Sequence, residues 1–424
     1  MTRPIDPTAL AAPVAGSELP VHAAAGTRGI EGPVRAPRVL LSAIALSQPM
    51  GGVLRQALEL LPRVARLLHE AGGRMDVLLS REGLDGRFDE RLPRTVGRIP
   101  TTVPPGGPVT RALAEPRAIR AALAAAAERG EPYDLVHSGH MPVPRFATPL
   151  SFLIHDLRDL EPGGGPWWRR QAAARLLPTT LRRAAMVLTV SHTMREELER
   201  RWSDLAGRVR VVRHGADHLP LRERRPGPMR GERVDLRATS ADVAERDERP
   251  PIVYLGHLER RKNLELLLEA LARDPDLPPL LLAGRAKAGE DLRLAARARE
   301  LGVAARVRID GPVHEDELPW LYASAGCLAL PSRIEGFGIP ALEAQRAGLP
   351  LAVARAGALP EVSAPGTPTF PVDDAAACAS ALRRALETDA RHLQSARAFA
   401  QEFRWDTCAG ELLEAWRAGA AVVD

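Results

Sequence analysis

From residue 39 onward the hydrophobic positions fall into two series in which short apolar runs alternate with longer helical patterns. Residues 39–46 (VLLSAIAL) are apolar enough for a strand buried on both faces, and a glycine-bearing turn, SQPMGG, follows. Over 53–70, Leu58, Leu61, Val64, Ala65 and Leu68 recur at helical spacing. Further strands are predicted at 75–79, 135–137, 152–155, 186–190 and 209–212, with Ser191 as N-cap of a helix over 192–202. The stretch 80–108 is polar, rich in Pro and Gly and aperiodic, which predicts long loops. A second series has strands at 252–255, 280–283, 307–309, 327–330 and 351–354, separated by helices at 264–272, 290–301, 315–325 and 339–347. Strands alternating with helices imply parallel sheets covered on both faces. The expectation is therefore an α/β chain of two Rossmann-like domains facing a cleft. The boundaries read as a disordered segment at 1–35, an N-terminal domain at 36–222, a charged linker or insertion at 223–250, a C-terminal domain at 251–404 and a last helix at 405–424.

Composition narrows the function. The 424 residues are 45% hydrophobic, enough for two cores, and no apolar run reaches the ~20 residues that span a bilayer. Residues 1–35 lack a basic start followed by a sustained apolar stretch and do not resemble a secretory leader. Three scattered cysteines, Cys327, Cys378 and Cys408, exclude a disulfide framework and fit a reducing cytosol. The net charge of +5 comes without blocks of like charge and with only three Tyr and seven Phe, which argues against nucleic-acid binding. Lysine occurs only at Lys262 and Lys287 in an Arg-rich chain, which singles out Lys262.

The chemistry concentrates in two segments. In LALPSRIEGFGIPALEAQRAGLP, a strand ending at Leu330 leads through Glu335, Gly336, Phe337 and Gly338 into a helix with Pro340 in its first turn. Backbone N–H groups from Gly336 to Ile339 at that helix start suit a phosphate, and Glu343 is placed to offer its carboxylate to a ribose. In YLGHLERRKN, Arg260, Arg261 and Lys262 crowd at the end of another strand, the mouth of a parallel sheet where anions bind. Gly336 to Ala341 also fits the G-x-G-x-x-A dinucleotide fingerprint, but no acid ends the following strand.

Together these residues resemble the retaining glycosyltransferases of family 4, which have the GT-B fold. Glu335 to Glu343 is similar to that family's E-x7-E signature, and GHLERRKN to its G-x-L-x-x-R-K-N segment. Weaker matches follow in order: Met50-Gly51-Gly52, Phe152 to Asp156 (FLIHD), Thr189-Val190-Ser191, His214-Gly215-Ala216-Asp217, Pro360-Glu361-Val362 and Phe403-Arg404-Trp405. The resemblance covers about residues 36 to 420 and implies that the domain at 36–222 binds the acceptor and the domain at 251–404 the sugar nucleotide. It implies that Arg261, Lys262 and the amides of Gly336, Phe337, Gly338 and Ile339 hold a donor diphosphate, that Glu343 holds the ribose and that Glu335 contacts the donor sugar. Gly51 and Gly52 would let the first loop reach the phosphates, and His155 would face the reacting sugar. It further implies a last helix crossing back to the N-terminal domain and a nucleotide-sugar co-substrate, with GDP-mannose favoured, and neither a cofactor nor a metal. The acceptor it implies is a glycan, a lipid-linked molecule or a small molecule, which the sequence does not distinguish. An NAD-dependent oxidoreductase and a non-catalytic nucleotide-sugar-binding protein are the alternatives.

Other candidates have plainer readings. His137 and His140 form H-x-x-H without a third ligand and are expected to be structural. Asp274-Pro275-Asp276 is expected to be a turn. Trp167-Trp168 sits in a basic segment interrupted by Pro178. Packing against the N-terminal domain is the simpler expectation, and peripheral contact with the inner face of the membrane is the alternative.

Overall fold

The computed structural model describes residues 35–47, 51–82, 86–104, 108–141, 143–161, 167–227 and 249–421. Residues 1–34 of the segment expected to be disordered and 228–248 of the charged linker, along with Met50, lie outside the described residues.

The first series forms strands β1 (Arg38–Ser42), β2 (Arg74–Leu79), β3 (Gly97–Pro100), β4 (Leu135–Ser138), β5 (Leu150–Ile154), β6 (Met186–Thr189) and β7 (Val209–Val211). They make one seven-stranded sheet in the order β3-β2-β1-β4-β5-β6-β7, and every pairing is parallel. The second series forms β8 (Ile252–Leu255), β9 (Leu280–Ala283), β10 (Val307–Asp310), β11 (Cys327–Leu330), β12 (Leu351–Ala354) and β13 (Thr369–Phe370). These make a parallel six-stranded sheet, β10-β9-β8-β11-β12-β13. The strand order reverses between β1 and β4 in one sheet and between β8 and β11 in the other. Those reversals open a crevice outside the carboxyl ends of the strands, where ligands of such folds bind.

Helices α1 (Gly52–Glu70), α2 (Gly86–Arg91), α3 (Pro108–Glu128), α4 (Trp167–Arg183) and α5 (His192–Arg201) accompany the first sheet. Helices α6 (Glu265–Arg273), α7 (Glu290–Glu300), α8 (Leu318–Ser324), α9 (Ile339–Ala347), α10 (Ala375–Leu386) and α11 (Ala390–Gln401) accompany the second. Helix α12 (Trp405–Ala420) leaves the second half and packs along α1 of the first, as the resemblance implied. Trp405 and Trp416 are fully buried there, and Gly419 lies against Met186 and Leu135 of the first sheet.

Three expectations need correction. The stretch read as loops contains α2 and β3, whose Ile99 packs against the core around Leu40 and Tyr133. Its alternation is only four residues long, too short to stand out. Helix α4 runs through Pro178 instead of breaking there. Trp167 and Trp168 are not packed away; they are 72% and 44% exposed on that helix. The described start of the linker is held to the second half. Arg224 donates to the carbonyls of Tyr322 and Ala325, and Arg222 lies 4.0 Å over the Trp320 ring.

Candidate functional site

The loops after β8 and β11 leave the second sheet side by side at its reversal and are stitched together by backbone and side-chain bonds. Arg333 donates its N–H to the Arg261 carbonyl at 2.9 Å, and Arg261 Nη1 donates to the Ile334 carbonyl at 3.0 Å. Asn263, in the left-handed conformation at φ 58°, reaches the Pro331 and Val372 carbonyls with its amide, so this residue of the R-K-N segment shapes the loop. The stitching brings Lys262 Nζ to 2.5 Å from Glu335 Oε2. Burial drives the Lys262 amine below its ordinary range, and the Glu335 carboxylate partly opposes that. Glu335 feels burial in the other direction, but Lys262 and Arg261 outweigh it and hold the carboxyl below its ordinary value. Arg261 also pairs with Glu259, Nη2 to Oε1, at 2.7 Å.

Beyond Glu335 the turn enters α9, whose N-cap is Gly338 at φ 105°. Pro340 in its first turn has no N–H, so the amides of the preceding turn and of Ile339 are the donors at the start of α9. Phe337 points away from any ligand and into the core, edge-on to His214 at 4.6 Å between ring centres. One turn into α9, Glu343 is buried with both oxygens engaged: Oε1 takes His218 Nε2–H at 2.8 Å and Oε2 takes the Tyr322 hydroxyl at 2.5 Å. His218 Nδ1 in turn accepts from Trp405 Nε1 at 3.2 Å. Burial raises the Glu343 carboxyl, but His218, Tyr322 and Arg55 outweigh it and hold it low.

The first half supplies the opposite wall. A Cβ added at Gly336 would lie 1.8 Å from the His155 carbonyl oxygen, so only glycine allows the turn to approach the end of β5. A Cβ at Gly51, whose φ is 58°, would strike the His257 ring at 2.8 Å, while Gly52 begins α1 beside Ile339. His155 lies 6.2 Å from His214 between ring centres, and burial first of all pushes it down to about 4. It is therefore neutral at pH 7. Arg55 of α1 pairs with Glu315 across the crevice.

The structure thus brings Gly51, Gly52, His155, Arg261, Lys262, Glu335, Gly336, Gly338, Ile339 and Glu343 around one crevice, with Phe337 behind it. Sequence reading did not single out His218, Tyr322, Arg55 or Glu315. His218 directly follows the Gly215-Ala216-Asp217 turn, the one signal available for it. Among the described residues no group of three His, Cys, Asp or Glu could hold a metal ion. His137 Nδ1 accepts from Trp416 Nε1 at 3.2 Å, a structural role that matches its expectation. Asp274 caps the C-terminus of α6 and receives Arg383, as a turn residue would. The dinucleotide-like run Gly336–Ala341 follows β11, the fourth strand of its sheet in chain order, whereas the fingerprint opens the first βαβ unit.

Two family models match the chain in tandem: "Glycosyltransferase Family 4" over residues 50–218 and "Glycosyl transferases group 1" over residues 237–404. A D-inositol 3-phosphate glycosyltransferase of Corynebacterium urealyticum is 32% identical over 234 residues, 52% of this chain and 54% of that protein. The O-antigen chain mannosyltransferase B of Escherichia coli is 29% identical over 252 residues, 57% of this chain and 62% of that protein. The chain thus spans between half and two thirds of the length of these relatives. Sucrose-phosphate synthase from Thermosynechococcus elongatus shares the fold with a TM-score of 0.67 at 21% identity, covering 90% of this chain and 98% of that one. Anabaena HepE, solved in complex with UDP-glucose, has a TM-score of 0.60 at 20% identity, covering 89% and 98%.

Proposed function

Since this chain belongs to the family 4-like glycosyltransferases of the GT-B fold, we propose that it moves a hexosyl group from a nucleoside-diphosphate sugar to an acceptor hydroxyl, with retention at the anomeric carbon. The observation that carries the reading is the stitched pair of loops after β8 and β11. They set Lys262, Arg261 and the start of α9 around one point at the sheet's reversal, facing His155.

In this reading the donor diphosphate lies against Lys262, Arg261 and the amides of the Gly336–Ile339 turn. As the bond from the anomeric carbon to the diphosphate oxygen breaks, its electron pair leaves with the diphosphate. Fixed cations and amides stabilise that charge with little reorganisation. The acceptor oxygen bonds to the same face of the sugar, and its proton passes to the departing phosphate oxygen. Glu335, held by Lys262, contacts the sugar. Glu343 receives the ribose hydroxyls on lone pairs left beside His218 and Tyr322, since a carboxylate has about four acceptor positions. The neutral His155 donates or accepts a hydrogen bond at the sugar without adding charge.

The mannosyltransferase among the relatives supports a hexosyl donor and makes GDP-mannose the first to test; UDP-glucose, bound in HepE, is the second. The test is release of nucleoside diphosphate from each sugar nucleotide by wild type and Lys262→Ala. Slow release by the wild type that the substitution lowers about a hundredfold, roughly 2.7 kcal/mol of lost charge stabilisation, is expected. Binding without release indicates a non-catalytic binder, and NADH oxidation instead would overturn the reading. No described helix is long and apolar enough to cross a membrane. The exposed Trp167 and Trp168 on the basic helix α4 support peripheral contact with an anionic bilayer. Co-sedimentation with phosphatidylglycerol vesicles that persists in the double Trp→Ala variant counts against it.

A further inference from the structure

The first sheet has its own crevice outside the carboxyl ends of β1, β4 and β5, and it holds a cavity of about 50 Å³. The polar part of its wall is Ser42, Gln56, His137, His140 and His155, and the remainder is largely leucine and alanine. Among the described residues no Lys, Arg, Asp or Glu lines it. His140 does not turn freely in this wall. Its Nε2 lies 2.8 Å from Glu115 Oε1, and the same oxygen accepts the Ser42 hydroxyl at 2.6 Å. Glu115 is only 1% exposed, so a buried carboxylate anchors the ring and leaves Nδ1 as the nitrogen for a ligand. Gln56 is 4% exposed, and its Nε2 has no hydrogen-bond partner among the described residues. A buried amide donor left unmade is costly, and because the Gln56 side chain lines the cavity, an amide turned toward a ligand oxygen there would be satisfied. The cavity adjoins the donor crevice, because the His155 that lines it also presents its carbonyl to Gly336.

We infer that this cavity seats the reacting hydroxyl of an uncharged acceptor with an apolar flank, between His140 and the Gln56 amide, and that it rejects phosphorylated acceptors. The inference rests on the glycosyl-transfer reading of the donor crevice. The argument against a phosphorylated acceptor is one of charge. A phosphomonoester entering this wall loses its water and meets no Lys or Arg there, which disfavours the charged form. An alkyl flank, or the C–H face of a sugar ring, is favoured by meeting leucine. Size sets how much of the acceptor enters: a cavity of about 150 Å³ holds a benzene ring, so one a third as large takes a hydroxyl-bearing edge and leaves the rest of the molecule in the crevice. Glu115 is a positioning residue that acts through His140.

The test measures release of nucleoside diphosphate from the sugar nucleotide that the full-length protein hydrolyses slowly, with octyl glucoside and octyl mannoside as neutral probes and glucose 6-phosphate and mannose 6-phosphate as charged ones. The neutral probes are expected to stimulate release by about tenfold more than the phosphates. His140→Ala and Glu115→Gln should each raise the acceptor KM about tenfold while the donor KM stays within about twofold. Gln56→Lys, which places a cation in the wall, should shift the preference toward the hexose phosphates. Preference of the wild type for the phosphates, stimulation by no probe, or a donor KM that moves with His140→Ala overturns the inference. Donor hydrolysis without acceptor keeps the two readings apart: if it is present, only the acceptor assignment has failed, and if no sugar nucleotide is hydrolysed the glycosyl-transfer reading fails first.

Discussion

Glu343 shows what residue-level reading reaches and what it misses. Its spacing from Glu335 and its place just inside a helix marked it as a candidate, and both carboxylates do stand at the same crevice. Its partners were invisible, because His218 and Tyr322 come from other elements and only folding brings them together. The same holds for Glu115 and His140, whose pairing crosses from α3 to the loop after β4. Titration offers a test at this scale. His137 is pushed down to about 3, and His155 and His257 to about 4, in each case first by burial. A histidine whose pKa is lowered on folding binds its proton less tightly in the folded chain than in the unfolded one. The stability it contributes is complete above its ordinary value of 6.5 and is lost as pH falls toward the folded value. The urea midpoint should therefore drop between about pH 7 and pH 5, and His155→Gln should flatten the drop. A midpoint that rises on acidification would contradict this account of the buried histidines.

At the scale of elements, the strands and amphipathic helices were legible because their apolar periodicity is strong, as along α1 and α6. The misses have physical causes. Proline ordinarily ends a helix, yet α4 runs through Pro178, where packing outweighs the lost hydrogen bond. The start of α5 illustrates a different limit. Ser191 caps it locally, accepting from the Met194 N–H, as its sequence predicts. A second cap comes from the other half of the chain: the Glu361 carboxylate accepts the His192 and Thr193 N–H groups and the Thr193 hydroxyl, each at 2.8 Å. The Pro360-Glu361-Val362 turn was recognised as a motif, but nothing in one sequence says that its acid reaches a helix about 170 residues away. Glu361→Ala should cost about 1 kcal/mol in urea unfolding, the usual worth of a cap, with Glu361→Gln intermediate. An unchanged midpoint in Glu361→Ala would mean that water replaces this bond without loss.

At the scale of the molecule, alternation alone implied two parallel sheets, and each sheet's reversal then identified where a ligand belongs. What alternation could not show is how the halves meet. They meet through the segment at 212–221 and through α12, where the Trp405 N–H reaches Asp217 and Arg63 of α1 pairs with Asp406. Arg55 and Glu315 add an ion pair across the crevice, and Gly336 lets the donor turn touch the end of β5. Such contacts depend on the relative placement of two folded halves, a property that no local pattern carries.

The central claim is that the crevice between the loops after β8 and β11 binds a nucleoside diphosphate. Calorimetric titration of GDP, UDP, dTDP, ADP and NAD into wild type, Lys262→Ala and Glu343→Gln tests it most directly. One nucleoside diphosphate should bind the wild type, and each substitution should weaken it by about tenfold or more, at least roughly 1.4 kcal/mol. Binding of NAD alone, or of a nucleoside diphosphate whose affinity neither substitution moves, would contradict the account.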